Sequence, residues 1–267
     1  MKFHSNELLY LRPMKRLISL AIRRIPRKYL QRFAHIVLRI LRIFYLGKKV
    51  QCPVCEARYR KFMPYGRVSR DNALCPNCLS LERHRLMWLF LGEKTDFFKK
   101  DHKLLHIAPE LCFIDRFEAL KNIEYITADL ESPLAKVKMD IHQMPFEDDS
   151  YDICFCNHVM EHVDDDHQSM SEIYRCLKPG GWAIIQVPFF PPLPEFTEED
   201  SEVTDPSERE RLYGQSDHVR KYGKDYPERL RKVGFTVDEN EFVKELDPSL
   251  LSFHGLPPED IIYWCKK

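Results

Sequence analysis

Short apolar runs separated by polar turns dominate residues 102–188 of the chain. Runs of four to seven β-branched, aromatic or aliphatic residues alternate with segments whose apolar positions recur every three or four residues, which predicts strands alternating with helices. The predicted strands are 103–108, 124–128, 137–139, 151–156 and 182–187, and the predicted helices are 114–120 and 165–177. This order indicates an open α/β sheet, whose ligands bind beyond the carboxyl ends of the strands.

The pattern changes at residues 189–226, which begin proline-rich and continue acidic with little periodicity. A loop of this length in a compact domain is usually functional or disordered, so a lid or insertion is expected. A helix over 226–233 ends at Gly234, and strands at 235–239 and 261–266 complete seven. The prediction is therefore a Rossmann-like seven-stranded α/β sheet with helices on both faces over 102–267.

Residues 1–50 show a helical rather than a strand-like period. One face carries Ile18, Ile22, Ile25, Tyr29, Phe33, Ile36, Ile40 and Ile43. The segment holds 13 Lys/Arg and one acid, a charge of +12. A basic amphipathic helical arm is predicted, and three partners stay open: the protein body, an anionic membrane surface, or, less favoured, nucleic acid.

Composition sets the scale of the remainder. The 267 residues, 44% hydrophobic, suffice for one α/β domain and a smaller module. Net charge is zero, so residues 51–267 carry −12 against the basic arm. No secretory leader is recognisable, and no apolar run in the arm reaches the roughly 20 residues that a membrane-spanning helix needs.

Two Cys-x-x-Cys pairs stand out among the nine cysteines. Cys52 and Cys55 precede Cys75 and Cys78, with the segment 56–74 between the pairs, a spacing typical of a four-thiolate zinc site. Such a closed shell predicts structural zinc in a small zinc-ribbon-like module that, with a linking helix, spans 51–91. An odd cysteine count and a thiolate metal site favour reduced thiols and a cytoplasmic protein, peripheral at the inner membrane face if the arm binds lipid.

Polar side chains follow the predicted strands at the edge where a ligand should bind. Asp129 follows the second strand, Asp140 the third, and Asn157 and His158 the fourth. An acid after the second strand suits ribose hydroxyls, although Asp129 also fits a turn cap. His158 suits either a catalytic base or a structural role at a strand end.

The order of these residues resembles the class I S-adenosylmethionine-dependent methyltransferases (methyltransferase type 11-like) from about 103 to 267. The motifs that carry the resemblance are Asp140 with its Met-Pro-Phe turn, the Asn157-His-Val-Met-Glu-His segment and the Leu177-Lys-Pro-Gly-Gly turn. The resemblance implies S-adenosylmethionine as cofactor, with Asp129 at its ribose, Asp140 and Ile141 at its adenine, and Asn157 beneath it. With the cysteine pairs, the chain resembles bacterial methyltransferases that carry a small zinc module.

One segment departs from the family pattern. The glycine positions of the loop after strand one hold Ala108, Glu110 and Cys112, and no glycine occurs from 93 to 179. Pro109 and Glu110 cannot reproduce a glycine loop freely. Three outcomes are open: a different backbone path in which Ala108 and Glu110 still bind the donor, with Glu110 at its amino group; weak binding; or a non-catalytic relative. The retained acids favour the first.

The acceptor side is expected in residues 217–223, by similarity to the lid of such enzymes. His218 is a candidate base and Tyr222 a candidate wall, together with His158 as catalytic residues, although a polar capping loop fits equally. The leading hypothesis is methyl transfer to a small-molecule, glycan or lipid-linked acceptor. The alternatives are an RNA methyltransferase that holds nucleic acid with the zinc module and arm, and a non-catalytic scaffold protein.

Overall fold

The structure, a computed structural model, describes residues 42–66 and 69–267. The predicted helical arm therefore lies largely outside the described residues. In chain order the strands are β1 (Leu46–Gln51), β2 (Arg58–Tyr59), β3 (Met63–Tyr65), β4 (Arg70–Leu74), β5 (His102–Ile107), β6 (Ile123–Asp129), β7 (Val137–Lys138), β8 (Tyr151–Asn157), β9 (Leu177–Gln186), β10 (Glu198–Glu199), β11 (Arg220–Lys221), β12 (Thr236–Asn240) and β13 (Ile262–Lys266). The helices are α1 (Glu82–Lys94), α2 (Leu111–Glu118), α3 (Asp166–Cys176), α4 (Pro206–Tyr213), α5 (Tyr226–Val233) and α6 (Pro248–His254).

Seven strands form one mixed sheet in the order β12-β13-β9-β8-β5-β6-β7. Strands β5 to β9 pair in parallel, and β13 runs antiparallel to both of its neighbours. The predicted seven-stranded sheet is confirmed. Strands β6 and β8 lie on opposite sides of β5, so successive strands are added first on one side of β5 and then on the other. At such a switch in strand order a crevice opens, here at the carboxyl ends of β5 and β8.

Apolar side chains cover both faces of this sheet. On one face, the α2 rings of Phe113 and Phe117 stack with centroids 5.1 Å apart, and Trp88 of α1 stacks on Phe117 at 6.0 Å. On the other face, Ile173 of α3 and Leu230 of α5 are fully buried over the sheet. Burial on both faces explains why the parallel strands read as continuous apolar runs.

The Pro-Gly-Gly turn lies near the start of β9, which follows α3 directly. A Cβ atom on Gly181 would lie 2.9 Å from the carbonyl oxygen of Asp152, so only glycine allows this close approach of backbones. The strand was expected to begin at residue 182, and β9 instead begins at Leu177 with an irregular register opposite β8. The turn therefore lies inside the strand pairing.

The boundary of the cysteine module differs from expectation. Residues 46–50, predicted within the helical arm, form strand β1, which pairs antiparallel with β2. Gly47 permits this because a Cβ there would lie 2.6 Å from the backbone nitrogen of Arg60. The strand pairing overrides the helical period, so residues 42–51 join the cysteine module rather than the arm.

A buried arginine joins that module to the sheet domain. Arg85 of α1, fully buried, donates to the carbonyl oxygens of Ala73 and Ser80 in the module and of His254 and Gly255 after α6. Its guanidinium lies 4.2 Å from the ring centroid of Phe62. These hydrogen bonds satisfy the buried guanidinium N–H groups, which would cost free energy if they were left unpaired. They also hold the cysteine module against the sheet domain.

The segment 189–226 is more ordered than its composition predicts. It contains α4 and a two-stranded ribbon of β10 and β11. Asp205 caps α4 by accepting from the backbone N–H groups of Ser207 and Glu208, and Gly214 ends it with a left-handed φ of 91°. The caps are local and visible in the sequence, whereas the apolar periodicity that would predict a helix is weak.

Candidate active site

The loop after β5 takes the backbone path that glycine usually provides. Ala108 has a φ of 50°. This value lies in the left-handed region, where a non-glycine residue is uncommon. The chain then turns through Pro109 into α2, whose N-terminal flanking residue is Glu110. The loop therefore keeps a glycine-like backbone turn at Ala108. At its later positions, Glu110 and Cys112 have side chains where glycine would have none.

Glu110 is the centre of a buried network. Its Oε2 bonds to Nε2 of His106, and its Oε1 accepts from Nδ2 of Asn157 at 3.0 Å. Nδ1 of His106 lies 2.8 Å from the hydroxyl of Tyr125. Burial opposes the charge of Glu110, but the adjacent His106, together with His84 and Arg83, more than offsets that effect and lowers the pKa of Glu110 to about 2. An ionised carboxylate thus lies between β5 and β8.

Asp129, at the end of β6, is held by its own turn. Its Oδ1 accepts from the backbone N–H groups of Glu131 at 2.8 Å and Ser132 at 2.6 Å. Both bonds end on the same oxygen, and no hydrogen bond from a described residue ends on Oδ2. The turn-cap role is therefore real, and it leaves one carboxylate oxygen for a ligand.

Asp140 follows β7 and is mostly exposed. Its Oδ1 accepts from the backbone N–H of His142 at 2.9 Å and lies 2.7 Å from Nδ1 of the same residue. These hydrogen bonds lower the pKa of Asp140. The next residue, Ile141, is only 7% exposed. The pair places an acid beside an apolar surface at the edge of the crevice.

A small cavity lies between α1 and the carboxyl ends of β8 and β9. Its polar lining includes Arg83, His84, Asn157 and Asp260. Three buried atoms there have no hydrogen-bond partner among the described residues: Nε of Arg83, Nε2 of His84 and Oδ1 of Asn157. Since buried polar atoms normally find partners, their convergence indicates room for water or a polar ligand.

Sequence reasoning missed the α1 side of this cavity. His84 is buried and accepts the backbone N–H of Leu81 through Nδ1 at 3.1 Å. That bond leaves Nε2 as the donor of the neutral ring. Burial lowers the pKa of His84 and raises that of Asp260. The cluster of three polar residues Arg83-His84-Arg85 within an apolar helix was the available signal.

The predicted catalytic residues do not converge. His158, with a φ of 57°, is 26% exposed at the end of β8, and its Nδ1 lies 3.4 Å from Oε1 of Glu161. His218 is fully buried, and its Nδ1 lies 3.0 Å from the carbonyl oxygen of Tyr213. Burial lowers the pKa of His218. Neither histidine lines the cavity, but His158 directly follows β8, one of the strands whose carboxyl ends form the crevice.

The expected wall residue Tyr222 has a structural contact instead. Its buried hydroxyl donates to Oδ2 of Asp166 at 2.7 Å, and Arg229 bonds both oxygens of the same carboxylate. Arg220 donates to the carbonyl oxygens of Met160, Val163 and Asp164. These bonds hold segment 189–226 against α3 and the residues that precede it. A role for Tyr222 beside an acceptor stays a prediction.

The four predicted metal ligands do converge. The Sγ atoms of Cys52, Cys55, Cys75 and Cys78 all lie within 4.8 Å of one another. Cys52 and Cys78 are 3.6 Å apart, and Cys55 and Cys75 are 3.7 Å apart. Zinc–sulfur bonds of about 2.3 Å in a tetrahedron separate the sulfurs by about 3.8 Å, so the spacing fits that ion.

Comparisons with known proteins agree with this architecture. The family model described as "Methyltransferase domain" matches residues 110–185. No curated protein matches the chain. The seven-stranded mixed sheet, with helices on both faces and a crevice where the strand order reverses, has a Rossmann-like α/β fold. Residues 110–185 are therefore similar to a methyltransferase domain.

Three solved structures are similar to this chain. An S-adenosylmethionine-dependent methyltransferase from Mesorhizobium loti is 16% identical, with a TM-score of 0.45, and the match covers 67% of this chain and 97% of that one. One from Archaeoglobus fulgidus is 17% identical, with a TM-score of 0.43 and coverage of 68% and 93%. The YcgJ protein of Bacillus subtilis is 14% identical, with a TM-score of 0.38 and coverage of 66% and 95%. No residue role is carried over from them.

The crevice residues fit the implied cofactor. An acid with a free oxygen ends β6, an acid beside a buried isoleucine follows β7, and an ionised carboxylate lies over β5 and β8. A sulfonium donor carrying an ammonium group suits such a negatively charged edge.

Among residues 42–66 and 69–267, no helix is long and apolar enough to cross a bilayer.

Proposed function

We propose that this protein transfers the methyl group of S-adenosylmethionine to a small-molecule, glycan or lipid-linked acceptor. The observation that carries the proposal is the set of acids along one edge of the sheet, Glu110, Asp129 and Asp140, within and beside the segment that matches a methyltransferase domain. Each acid follows a different neighbouring parallel strand, as a ligand laid across the strand ends requires.

Each part of the donor has a matching residue. Oδ2 of Asp129 would accept from the ribose hydroxyls, and Asp140 with Ile141 would hold the adenine. A carboxylate has about four acceptor positions, and His106 and Asn157 occupy two on Glu110. The remaining ones would receive the donor's ammonium group, while Ala108 lets the backbone turn beneath it.

The donor supplies the activated methyl group, so the protein must align the acceptor, exclude water and manage one proton. His158 is the candidate proton acceptor because it lies at the end of β8 with 26% of its side chain exposed. The Glu161 carboxylate, 3.4 Å from Nδ1, would orient the ring. Arg83, His84 and Asp260, which line the cavity, would orient a polar acceptor.

Calorimetric titration tests the donor site. Full-length protein titrated with S-adenosylmethionine, and separately with S-adenosylhomocysteine, is expected to bind one equivalent, and Asp140→Ala is expected to bind both more weakly. A folded sample that binds neither, with Asp140→Ala indistinguishable from it, would refute the proposal.

An acceptor screen tests the second half. Protein and methyl-labelled donor are incubated with separated lipid, glycan, small-molecule and RNA fractions of a bacterial extract. Label in one of the first three, reduced in His158→Ala, supports the proposal. Label confined to RNA supports the alternative acceptor, and label in no fraction supports a non-catalytic scaffold.

We also propose that the four cysteines hold one structural zinc ion. The two closest sulfur pairs, separated by 3.6 Å and 3.7 Å, support a closed tetrahedral shell. Elemental analysis of purified protein is expected to give zinc bound to these thiolates. Cys75→Ser is expected to lose it and to unfold more readily, since metal binding and folding are coupled. An unchanged zinc content in Cys75→Ser would exclude this site.

A further proposal concerns the N-terminal segment 1–50, which comprises the predicted arm and most of strand β1 and whose +12 charge suits an anionic lipid surface. Full-length protein is expected to sediment with vesicles rich in phosphatidylglycerol and not with neutral phosphatidylcholine vesicles. Replacing Arg23, Arg24 and Arg27 by glutamate is expected to abolish that difference. Equal sedimentation with both vesicle types would contradict the proposal.

A further inference from the structure

Three side chains outside the proposed donor site converge behind the crevice. Glu161 and His162 follow β8, and His218 precedes β11. A ligand atom from each lies within 4.8 Å of the other two. The backbone N–H of Val219 donates to the carbonyl oxygen of Glu161 at 2.9 Å, which holds the two segments in this register.

Hydrogen bonds fix the same tautomer in both imidazole rings. Nδ1 of His218 lies 3.0 Å from the carbonyl oxygen of Tyr213, and Nδ1 of His162 lies 3.1 Å from that of Asp217. A carbonyl oxygen only accepts, so each Nδ1 carries the proton and each neutral ring presents the Nε2 lone pair. A backbone carbonyl on one ring nitrogen is the usual support for a histidine that binds metal through the other.

Two buried atoms of the cluster lack a hydrogen-bond partner. Oε2 of Glu161 and Nε2 of His218 are buried and have no hydrogen-bond partner among the described residues. Glu161 is 2% exposed and His218 is fully buried. Nε2 of His162 lies 3.9 Å from Oε1 of Glu161, too far for a hydrogen bond. Three acceptors therefore face one another, an arrangement that costs free energy unless a cation lies between them.

We infer that Glu161, His162 and His218 form a binding site for a divalent first-row transition-metal ion. Two imidazole nitrogens and one carboxylate oxygen suit zinc, cobalt, iron or manganese, whereas magnesium and calcium prefer oxygen ligands alone. The ligand atoms lie up to 4.8 Å apart, so small rotations of the side chains bring them to the bond length of about 2.1 Å. His162, with 36% of its side chain exposed, leaves the site open to solvent on one side.

This site differs chemically from the cysteine cluster, and the inference does not depend on methyl transfer. Three protein ligands leave coordination positions for water, whereas four thiolates close the shell. His158 also approaches Glu161, at 3.4 Å between Nδ1 and Oε1, so the ion would border the crevice. Thiolate coordination gives cobalt strong near-ultraviolet charge-transfer absorption that nitrogen and oxygen ligands do not give. The two sites can therefore be separated in one sample.

Cobalt titration of the full-length protein is the test. One equivalent of zinc per protein is first added, which the four thiolates take up preferentially, and Co²⁺ is then titrated while visible absorption and heat are recorded. The expected result is one equivalent of Co²⁺ bound without thiolate charge-transfer bands. Glu161→Gln and His162→Ala are each expected to weaken this binding at least about tenfold. His167→Ala, on the first turn of α3, is the matched control and is expected to bind normally.

Thermal unfolding without added metal checks that the variants are folded. His162 is exposed, so His162→Ala keeps the test available if Glu161→Gln proves unstable. The inference is overturned if folded wild-type protein binds no Co²⁺ or Zn²⁺ beyond the thiolate site. It is equally overturned if a second ion binds with unchanged affinity in His162→Ala, because the ligands would then lie elsewhere.

Discussion

The two sides of the crevice hold their acids in different ways. On the side proposed for the adenosyl group, Asp129 and Asp140 accept hydrogen bonds from residues two or three positions further along the chain. On the side proposed for the methionyl group, Glu110 is 14% exposed and is held by side chains from β5 and β8. The first arrangement is local, and the second exists only when the sheet is assembled.

This difference separates two roles for a carboxylate. An acid that is held by its own turn can contribute to ligand binding with little effect on folding. Its removal leaves no buried polar or charged group without a partner. An acid between strands is part of the core, and its loss affects both stability and binding. At the same sheet edge, substitution of the exposed acids should leave the stability of the fold unchanged, whereas substitution of the buried acid should lower it.

The largest expected effect is on the buried side. His106→Ala leaves the Glu110 carboxylate buried without its principal partner, so the free energy of unfolding should fall by about 4 kcal/mol. Urea unfolding measures it, with His167→Ala as a control that should lose less than about 0.5 kcal/mol. A loss below about 1 kcal/mol in His106→Ala would mean that the network does not stabilise the fold.

The pH dependence of the unfolding free energy should report on the same network. Folding lowers the pKa of Glu110 to about 2 from an ordinary value near 4.5, so the folded state binds that proton less readily than the unfolded one. The stabilisation is complete above about pH 4.5 and is lost as the pH falls towards 2, at most about 3 kcal/mol. Glu110→Gln should remove that part of the pH dependence. An identical slope in the variant would contradict the assignment.

The exposed side should respond in binding alone. Asp140→Ala is expected to lower donor affinity about tenfold, or roughly 1.4 kcal/mol, while its unfolding free energy stays within about 0.5 kcal/mol of wild type. Calorimetry and urea unfolding on the same sample give both numbers. A destabilisation as large as that of His106→Ala would remove the distinction between the two sides.

The smallest effect is expected at the turn between them. Ala108 holds a left-handed φ of 50°. That conformation costs a non-glycine residue about 1 kcal/mol, so Ala108→Gly should leave stability unchanged or raise it by up to that amount. Thermal unfolding at fixed pH is the measurement. A clear loss of stability would show that the loop does not need this conformation.

The sequence predicted what is local or periodic. Continuous apolar runs predicted the parallel strands, and the cysteine spacing predicted the four-sulfur cluster. The position of Asp129 and Asp140 directly after predicted strands placed both acids at the edge of the sheet. It did not give the partners of Glu110, because His106 and Asn157 meet it only through strand pairing. His106 is both buried and bonded to the site.

The differences between the sequence-based expectations and the structure have the same origin. Residues 46–50 fit a helical period, but strand pairing with β2 overrides it. Tyr222 and His218 lie in a polar segment that suggested a lid, yet contacts with Asp166 and Tyr213 bury both side chains. Charge and spacing identify residues capable of chemistry, and only the packing decides which of them face a ligand.

The central claim is that Glu110 replaces the family's glycine loop as the holder of the donor's amino group. Its most direct test compares two ligands, S-adenosylhomocysteine and 5′-methylthioadenosine, which lacks the amino acid part. Wild-type protein should bind the first more tightly, Glu110→Gln should lose that preference, and Asp140→Ala should weaken both ligands alike. Equal affinities in wild type, or an undiminished preference in Glu110→Gln, would contradict the account.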